Sequence, residues 1–228
     1  MLYNLFPLTV YKEKAGLSVE TRKAIAAIVE GQYKKTTDPS RRTSSSWVGA
    51  MHGMLSIHLQ KEFDPVVSLY PKHVKTYMEK LGYKWGELSI FVTRSWATYG
   101  NSNQTILRHK HTSSALSIAY YVSLPEGSTS ISFETEAHQN EPISGLFTEA
   151  RHRGLIDPAN TFAATAVSMD VEEDDLVIFP SSTLHGVMPG QHAAPRISIA
   201  SDTLFLTKQV TNSEKILPPV SNWRDITA

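Results

Sequence analysis

From Glu87 onward, the chain is a series of short segments that alternate apolar and polar residues and are separated by turn residues. A period of two is typical of half-buried β-strands, because successive side chains point to opposite faces of a sheet. The segments are Leu88–Thr98, Leu116–Leu124, Ser130–Phe133, Phe162–Met169, Leu176–Phe179, Leu184–Met188 and Arg196–Phe205. So many short strands in sequence predict an antiparallel sandwich, a jelly roll or a small barrel.

The first third of the chain has helical patterns instead. A helix is predicted to begin after the capping residue Ser18 and to run to about Glu30. A second helical region is predicted to start at Asp64, to be interrupted at Pro71 and to end at Gly82.

These patterns predict one domain of 228 residues. Residues 1–86 are expected to form a helical support region that opens with a strand around Tyr3–Tyr11 and contains a polar loop at 34–46. Residues 87–206 form the β core, and residues 207–228 form a C-terminal tail. The segment 135–161 is longer than a hairpin needs, and such loops are often functional.

Composition narrows the choice of partners and compartment. The 22 basic and 22 acidic residues balance, which disfavours nucleic acid as the main partner. There is no cysteine, so thiolate metal sites and cysteine nucleophiles are excluded. No apolar stretch is long enough to span a membrane, and MLYNLFPLTVYKEK does not look like a signal peptide. We therefore expect a cytoplasmic protein, and a homodimer is left open.

Two histidines, His109 and His111, stand two residues apart just before a predicted strand. On an extended chain such residues point to the same side, so both imidazoles can face one point. Imidazole suits iron, zinc, copper or nickel, but a third ligand must come from elsewhere. Taken alone, the pair is weak evidence for a metal site, and two polar histidines on a loop before a strand are the more common explanation.

A second group of candidates lies near the C-terminus, where His185 follows a strand of the buried type. Arg196 and Ser198 stand two apart and share one face of the last strand. Burying an arginine between two sheets costs free energy unless an anion pairs with it. The planar guanidinium group is well suited to bind a carboxylate with two hydrogen bonds. The alternative is a surface arginine paired with an acidic side chain.

The strand Leu116–Leu124 has one apolar face, and its other face consists of Ser117, Ala119, Tyr121 and Ser123. Tyr121 is the one large side chain on that small, polar face. It can line a pocket with its phenol as a hydrogen-bond donor, or it can face solvent on an outer sheet.

Together these residues resemble the iron(II)- and 2-oxoglutarate-dependent oxygenases, and in particular a small bacterial and phage group of them. The resemblance rests on SWATYG, HKHTSSALSIAYYV, ISFE and DLVIFPSSTLHGVMPG followed by RISIA, and it covers about residues 88–205. LFPLTVY near the N-terminus resembles the same group more loosely. The resemblance implies a double-stranded β-helix, which is a jelly roll, with iron(II) and 2-oxoglutarate as cofactors.

The family's metal motif is His-x-Asp/Glu followed by a distant His. The resemblance places His109 and His185 at the two histidine positions, and His111 stands where the carboxylate belongs. It also implies that Arg196, Ser198 and Tyr121 bind the far carboxylate of 2-oxoglutarate. In a shifted register, His111 is the first ligand, Ser113 takes the carboxylate position, and Glu134 or Glu136 supplies the missing oxygen.

The activity implied is hydroxylation of a small molecule by dioxygen, coupled to oxidation of 2-oxoglutarate to succinate. The substrate is not evident from the sequence. Trp96 and Tyr99 precede the metal motif, and the loop 135–161 carries the basic cluster Arg151, His152 and Arg153. That cluster is compatible with an acidic substrate, but a solvated charged loop is the preferred interpretation.

Two other functions fit the same residues. Cupin-type dioxygenases or isomerases use three-histidine metal sites in a jelly roll and need no 2-oxoglutarate. A non-catalytic relative that lost its carboxylate ligand would show the same motifs. The pair Arg196 and Ser198 favours the oxygenase, because a cupin has no need of a buried anion site there.

Overall fold

In the computed structural model, the described residues are 1, 5–35, 56–136, 138–157, 159–210 and 215–227. The strands are β1 Tyr11–Lys14, β2 Leu88–Gly100, β3 Ile106–His109, β4 Leu116–Ser123, β5 Ile131–Glu134, β6 Ala166–Met169, β7 Asp175–Pro180, β8 Leu184–Val187 and β9 Arg196–Thr207. The α-helices are α1 Val19–Lys34, α2 Asp64–Val67, α3 Tyr70–Lys80 and α4 Leu146–His152.

The strands form two antiparallel sheets. The larger sheet has the order β1-β7-β4-β9-β2, and the smaller sheet has the order β3-β8-β5-β6. Side chains of β4, β5 and β7 form one apolar cluster between the sheets, which includes Tyr121, Phe133 and Phe179. Two antiparallel sheets that face each other across such a cluster form a jelly roll, so the predicted fold class is confirmed.

Strand β4, at the centre of the larger sheet, separates two environments. Leu116, Ile118 and Tyr120 point away from the smaller sheet into a core shared with the helices. That core contains residues from α1 and α3, among them Ile25 and Tyr77. The helices therefore cover the outer face of the larger sheet and leave its inner face for the space between the sheets.

The helical predictions largely match the structure. The Ser18 side chain caps α1 by accepting a hydrogen bond from the Thr21 amide, although the helix continues to Lys34 rather than Glu30. Pro71 lies in the first turn of α3, where its missing N–H costs nothing, so the second helical region divides there as expected. Gly82 follows α3 with a positive φ of 89°, which favours glycine.

Several boundaries were wrong. The first strand is Tyr11–Lys14 rather than Tyr3–Tyr11, because pairing with β7 (Tyr11 opposite Ile178) fixes its position. Residues 2–4 lie outside the described part, as does most of the predicted loop at 34–46. The strand predicted at Phe162–Met169 shortens to β6.

Two elements were not predicted from the sequence. β3 lies within a polar stretch, and α4 lies inside the long segment 135–161. None of the helices within the described ranges combines the length and the apolar character that crossing a membrane requires. The division into support region, core and tail stays a prediction.

Gly186 in β8 provides a test of how this fold positions the functional residues. A Cβ at this position would lie 2.9 Å from the Ile106 carbonyl oxygen and 3.2 Å from the Arg108 Cα, both in the backbone of β3. Gly186→Ala should therefore push β3 and β8 apart and cost about 1–3 kcal/mol, the usual range for overpacking.

Gly31→Ala is the matched control, because Gly31 lies in α1 and a Cβ there meets nothing within 4 Å. That change should stabilise the protein by about 0.5–1 kcal/mol. Urea denaturation of both variants measures the difference. Equal or higher stability of Gly186→Ala would contradict the close approach of these two strands.

Candidate metal and 2-oxoglutarate site

The smaller sheet and one loop bring three histidines together. His109, the last residue of β3, lies directly opposite His185 of β8. His111 follows two residues later, where its amide donates to the Ser181 carbonyl at 2.8 Å. The ligand atoms of these three histidines lie within 4.8 Å of one another, and they form the candidate metal cluster among the described residues.

Hydrogen bonds at Nδ1 orient each of the three rings. His109 Nδ1 lies 2.7 Å from the Leu107 carbonyl, and His185 Nδ1 lies 2.8 Å from the Thr183 carbonyl. Carbonyl oxygens only accept, so these Nδ1 atoms carry the proton and each Nε2 keeps its lone pair. This is the tautomer that metal-binding histidines adopt when an outer acceptor holds the ring.

The two histidines held by carbonyls are neutral at ordinary pH. Burial lowers the pKa of His185 to about 4, although the hydrogen bond to Thr183 opposes that effect. Burial likewise lowers the pKa of His109, against the opposing hydrogen bond to Leu107. Because a protonated imidazole cannot bind a metal, a lowered pKa keeps both rings ready to act as ligands.

The third ring, His111, is held by a carboxylate instead. Its Nδ1 lies 2.5 Å from Asp202 Oδ1, and Ser117 Oγ donates to the same carboxylate oxygen at 3.2 Å. Arg94 donates to the other oxygen from Nε at 3.1 Å and from its terminal nitrogen at 2.5 Å. Burial alone would raise the pKa of Asp202, but the hydrogen bonds from His111 and Arg94 outweigh it and hold that pKa low.

Arg196 lies in the same space between the two sheets as the three histidines, at its opposite end. It is 6% exposed, and its Cζ lies 5.3 Å from the centre of the Tyr121 ring. No carboxylate of the described residues forms an ion pair with it, and its Nε has no hydrogen-bond partner among them. The alternative of a surface arginine paired with an acidic side chain is therefore wrong.

Tyr121 and Ser198 complete the surroundings of this guanidinium. Tyr121 is 1% exposed, which excludes the solvent-facing alternative, and it lies opposite Ser198 on the neighbouring strand. Burial raises the pKa of Tyr121, so the phenol keeps its proton and can donate it in a hydrogen bond.

A cavity connects the histidines with Arg196. Its empty volume is about 580 Å³, part of which is open to solvent. Its floor includes the small residues Ala119, Ala200 and Ser198 of the larger sheet, and Phe179 and Val187 supply apolar walls. Small floor residues leave room for an extended ligand between the two ends.

Other candidates from the sequence lie outside this arrangement. Glu134 pairs with Arg108 at 3.2 Å and Glu136 pairs with Lys110 at 3.6 Å, and neither carboxylate belongs to the histidine cluster. Ser113 is exposed. The shifted register therefore has no carboxylate in place among the described residues.

Trp96 and Tyr99, the two aromatic residues before the histidine motif, lie on opposite faces of β2. Trp96 lines the cavity, with its ring 5.6 Å from that of His111, whereas Tyr99 points to the other face and stacks on Tyr33. In the long loop, Arg151 binds the carbonyls of Asn160 and Ala163, and Arg153 binds Glu149. None of these loop residues lines the cavity.

The comparisons with known proteins show similarity to one class of enzyme. Residues 94–202 match the family model described as "Putative 2OG-Fe(II) oxygenase", and this stretch contains both ends of the cavity. This part of the chain, a little under half of it, is therefore similar to the 2OG-Fe(II) oxygenases, which are dioxygenases that use iron(II) and 2-oxoglutarate. No curated protein matches the sequence.

Solved structures share the fold. AviO1 from Streptomyces viridochromogenes aligns at a TM-score of 0.55 and 9% identity, covering 86% of this chain and 89% of AviO1. HygX from Streptomyces hygroscopicus, solved with nickel, 2-oxoglutarate and hygromycin B, aligns at 0.53 and 10%, covering 86% and 82%. A Pseudomonas putida prolyl-4-hydroxylase aligns at 0.51 and 12%, covering 86% and 92%. At these identities, the likeness concerns the fold.

The low pKa of His185 predicts how the stability of the metal-free protein depends on pH. The unfolded chain takes up a proton near pH 6.5, whereas the folded protein resists it until about pH 4. Stability is therefore complete above pH 6.5 and is lost as the pH falls toward 4. Between pH 7.5 and 5, this group alone should cost about 1–2 kcal/mol.

The comparison variant is His185→Gln, which does not titrate. Urea denaturation at several pH values should give a smaller loss of stability in this variant than in the wild type. An equal loss in both proteins would show that His185 is not held neutral in the fold.

Proposed function

We propose that this protein hydroxylates a small molecule, with His109, His111 and His185 as the iron ligands and Arg196, Ser198 and Tyr121 as the 2-oxoglutarate-binding residues. One observation carries the proposal. A single cavity has three imidazoles at one end and, at the other, a buried guanidinium that pairs with no carboxylate of the described residues. An elongated dianion that also chelates a metal is the kind of ligand that both ends can bind together.

The donor set suits iron(II). Three imidazole nitrogens would hold the ion and, as three protein ligands, would leave coordination positions for other ligands, as metal catalysis requires. When bound, iron(II) would activate dioxygen, which is the oxidant: one oxygen atom would enter the substrate C–H bond to give an alcohol, and the other would oxidise 2-oxoglutarate to succinate and carbon dioxide. The protein's own part is positioning and exclusion of water.

Each group of residues has a separate task in this scheme. The fork of Arg196 holds the far carboxylate, while the Tyr121 phenol and the Ser198 hydroxyl donate to it from the sides. Phe179 and Val187 keep the middle of the cavity apolar, which strengthens these charged interactions and excludes water. The substrate would then approach from the open side of the histidine cluster.

A small-molecule substrate is favoured over a macromolecule by the balance of charge, because the equal numbers of acidic and basic residues provide no overall attraction for nucleic acid. HygX, which shares the fold, was solved with the small molecule hygromycin B. The cupin alternative does not use 2-oxoglutarate. It would therefore leave no ligand to offset the desolvation free energy of the buried Arg196 side chain.

The role of Arg196 is tested by changing its side chain. Truncating one partner of a buried charge pair costs about 2–5 kcal/mol, so Arg196→Ala should weaken 2-oxoglutarate binding by roughly 30- to several-thousand-fold. Arg196→Lys should recover only part of the loss, because an ammonium lacks the planar fork. Calorimetric titration of 2-oxoglutarate into anaerobic, iron-loaded protein measures both effects.

Arg22→Ala is the matched control, since Arg22 is also largely buried but pairs with Glu173 outside the cavity. It should bind 2-oxoglutarate as the wild type does, and Arg196→Ala should keep its iron. If the wild type neither binds 2-oxoglutarate nor forms succinate from it, the oxygenase proposal fails and the three-histidine cupin becomes the better explanation.

The ligand set is tested at His185 and His111. His185→Ala should lose most of its bound iron(II), whereas His152→Ala, a change at an exposed residue, should keep it. His111→Asp restores the family motif and should retain iron, while His111→Ala should bind it weakly. Metal analysis after anaerobic loading gives the result, and wild-type affinity in both His111 variants would remove His111 from the ligand set.

A further inference from the structure

We propose that Asp202 is a positioning residue of the metal site, which supplies through His111 the negative charge that a ligating carboxylate would otherwise provide. This inference rests on the proposed role of His111 as a ligand. It assigns a function to a residue that neither metal motif nor cofactor motif contains. The observations that carry it are the contacts, burial and charge of Asp202.

The first observation is the asymmetry of the three histidines. His109 and His185 are held by neutral backbone carbonyls, whereas His111 is held by a carboxylate at 2.5 Å. His111 is also the residue that stands at the carboxylate position of the family motif. The structure thus contains a carboxylate on this side of the site. The ring of His111 separates that carboxylate from the point where the three imidazoles converge.

The second observation is charge. A 2-His-1-carboxylate site partly neutralises an iron(II) ion, whereas three neutral imidazoles leave both positive charges in place. An outer carboxylate that accepts the Nδ1 proton makes the imidazole a stronger donor at Nε2. Asp202 therefore offsets part of the charge without taking a coordination position.

The third observation is how Asp202 is held. It is 0% exposed, and Arg94 binds its second oxygen while the Arg94 side chain is 45% exposed. A buried ion pair contributes little net stability, because desolvation offsets much of the attraction. Stability alone therefore explains poorly why this carboxylate is buried. Its burial is explained if the carboxylate orients and polarises His111.

Arg94 and Ser117 fix the geometry of the carboxylate. Arg94 lies opposite Asp202 on β2, and Ser117 lies opposite it on β4. With one oxygen bound to Arg94, the other remains directed at His111 and Ser117. The carboxylate cannot turn toward the metal without breaking the bonds to Arg94, so it acts from outside the ligand set.

The test is a double-mutant cycle on metal affinity. Asp202→Asn keeps the shape and an acceptor oxygen but removes the charge, and it should weaken zinc(II) and iron(II) binding by about 10- to 100-fold. In the His111→Asp background, the ligand itself carries the charge, so Asp202→Asn should cost little. Competition titration with a metal indicator under anaerobic conditions gives the four affinities.

Asp175→Asn is the matched control, because Asp175 is another buried aspartate of the larger sheet and pairs with Lys14 at 3.0 Å. It should leave metal affinity unchanged even if it lowers stability. An equal loss from Asp202→Asn in both backgrounds would mean that Asp202 has only a structural role and would overturn the inference. Wild-type affinity in the single variant would also overturn it.

Nitrogen-15 NMR of the zinc-loaded protein gives a second readout that does not need the His111→Asp background. The Nδ1 proton of His111 should be strongly deshielded in the wild type and should lose that shift in Asp202→Asn, while the signal of His185 stays in place. An unchanged His111 signal would contradict the inference. Failure of the wild type to bind either metal would instead contradict the proposed function.

Discussion

The register of β9 against its two neighbours fixes both ends of the site. β9 begins with Arg196, and six residues later the same face presents Asp202. Pairing with β4 places Ser198 beside Tyr121 and Asp202 beside Ser117, and pairing with β2 places Asp202 beside Arg94. A slip of β9 by one residue would turn Arg196, Ser198 and Asp202 toward the helical core, so the proposed chemistry depends on this register.

The second constraint is the pairing of β3 with β8 in the opposite sheet. It places His109 opposite His185, and the absence of a side chain at Gly186 permits the close approach. His111 then reaches the inner face of the larger sheet, where the Asp202 carboxylate forms a hydrogen bond with its Nδ1. The proposed metal site therefore lies across the sandwich, with the rings of His109 and His185 from the smaller sheet and the carboxylate of Asp202 from the larger sheet.

Much of this arrangement follows from alternation in the sequence. The same-side placement of His109 and His111, the inward face with Tyr121, and the pair Arg196 and Ser198 all come from a period of two, and the structure places these residues in one cavity. Asp202 was within reach of the same argument, since it stands at an even spacing from Arg196. Its proposed role depends on His111, which the loop between β3 and β4 brings to it, and alternation along β9 does not reveal that contact.

Other features could not be read from local pattern. The start of β1 depends on pairing with β7, which lies more than 160 residues away, and β3 owes its extended form to β8 rather than to its own residues. The neutrality of His185 depends on burial, which alternation does not reveal. The sequence also could not show that Arg196 pairs with no acidic side chain of the described residues, because that depends on how the whole chain packs around it.

The most direct test is a crystal structure of the protein loaded anaerobically with iron(II) and 2-oxoglutarate. We expect iron bound by the Nε2 atoms of His109, His111 and His185, with the far carboxylate of 2-oxoglutarate on the guanidinium of Arg196. Asp202 should lie outside the ligand set. Iron bound by Asp202, Glu134 or Glu136, or 2-oxoglutarate lying away from Arg196, would contradict it.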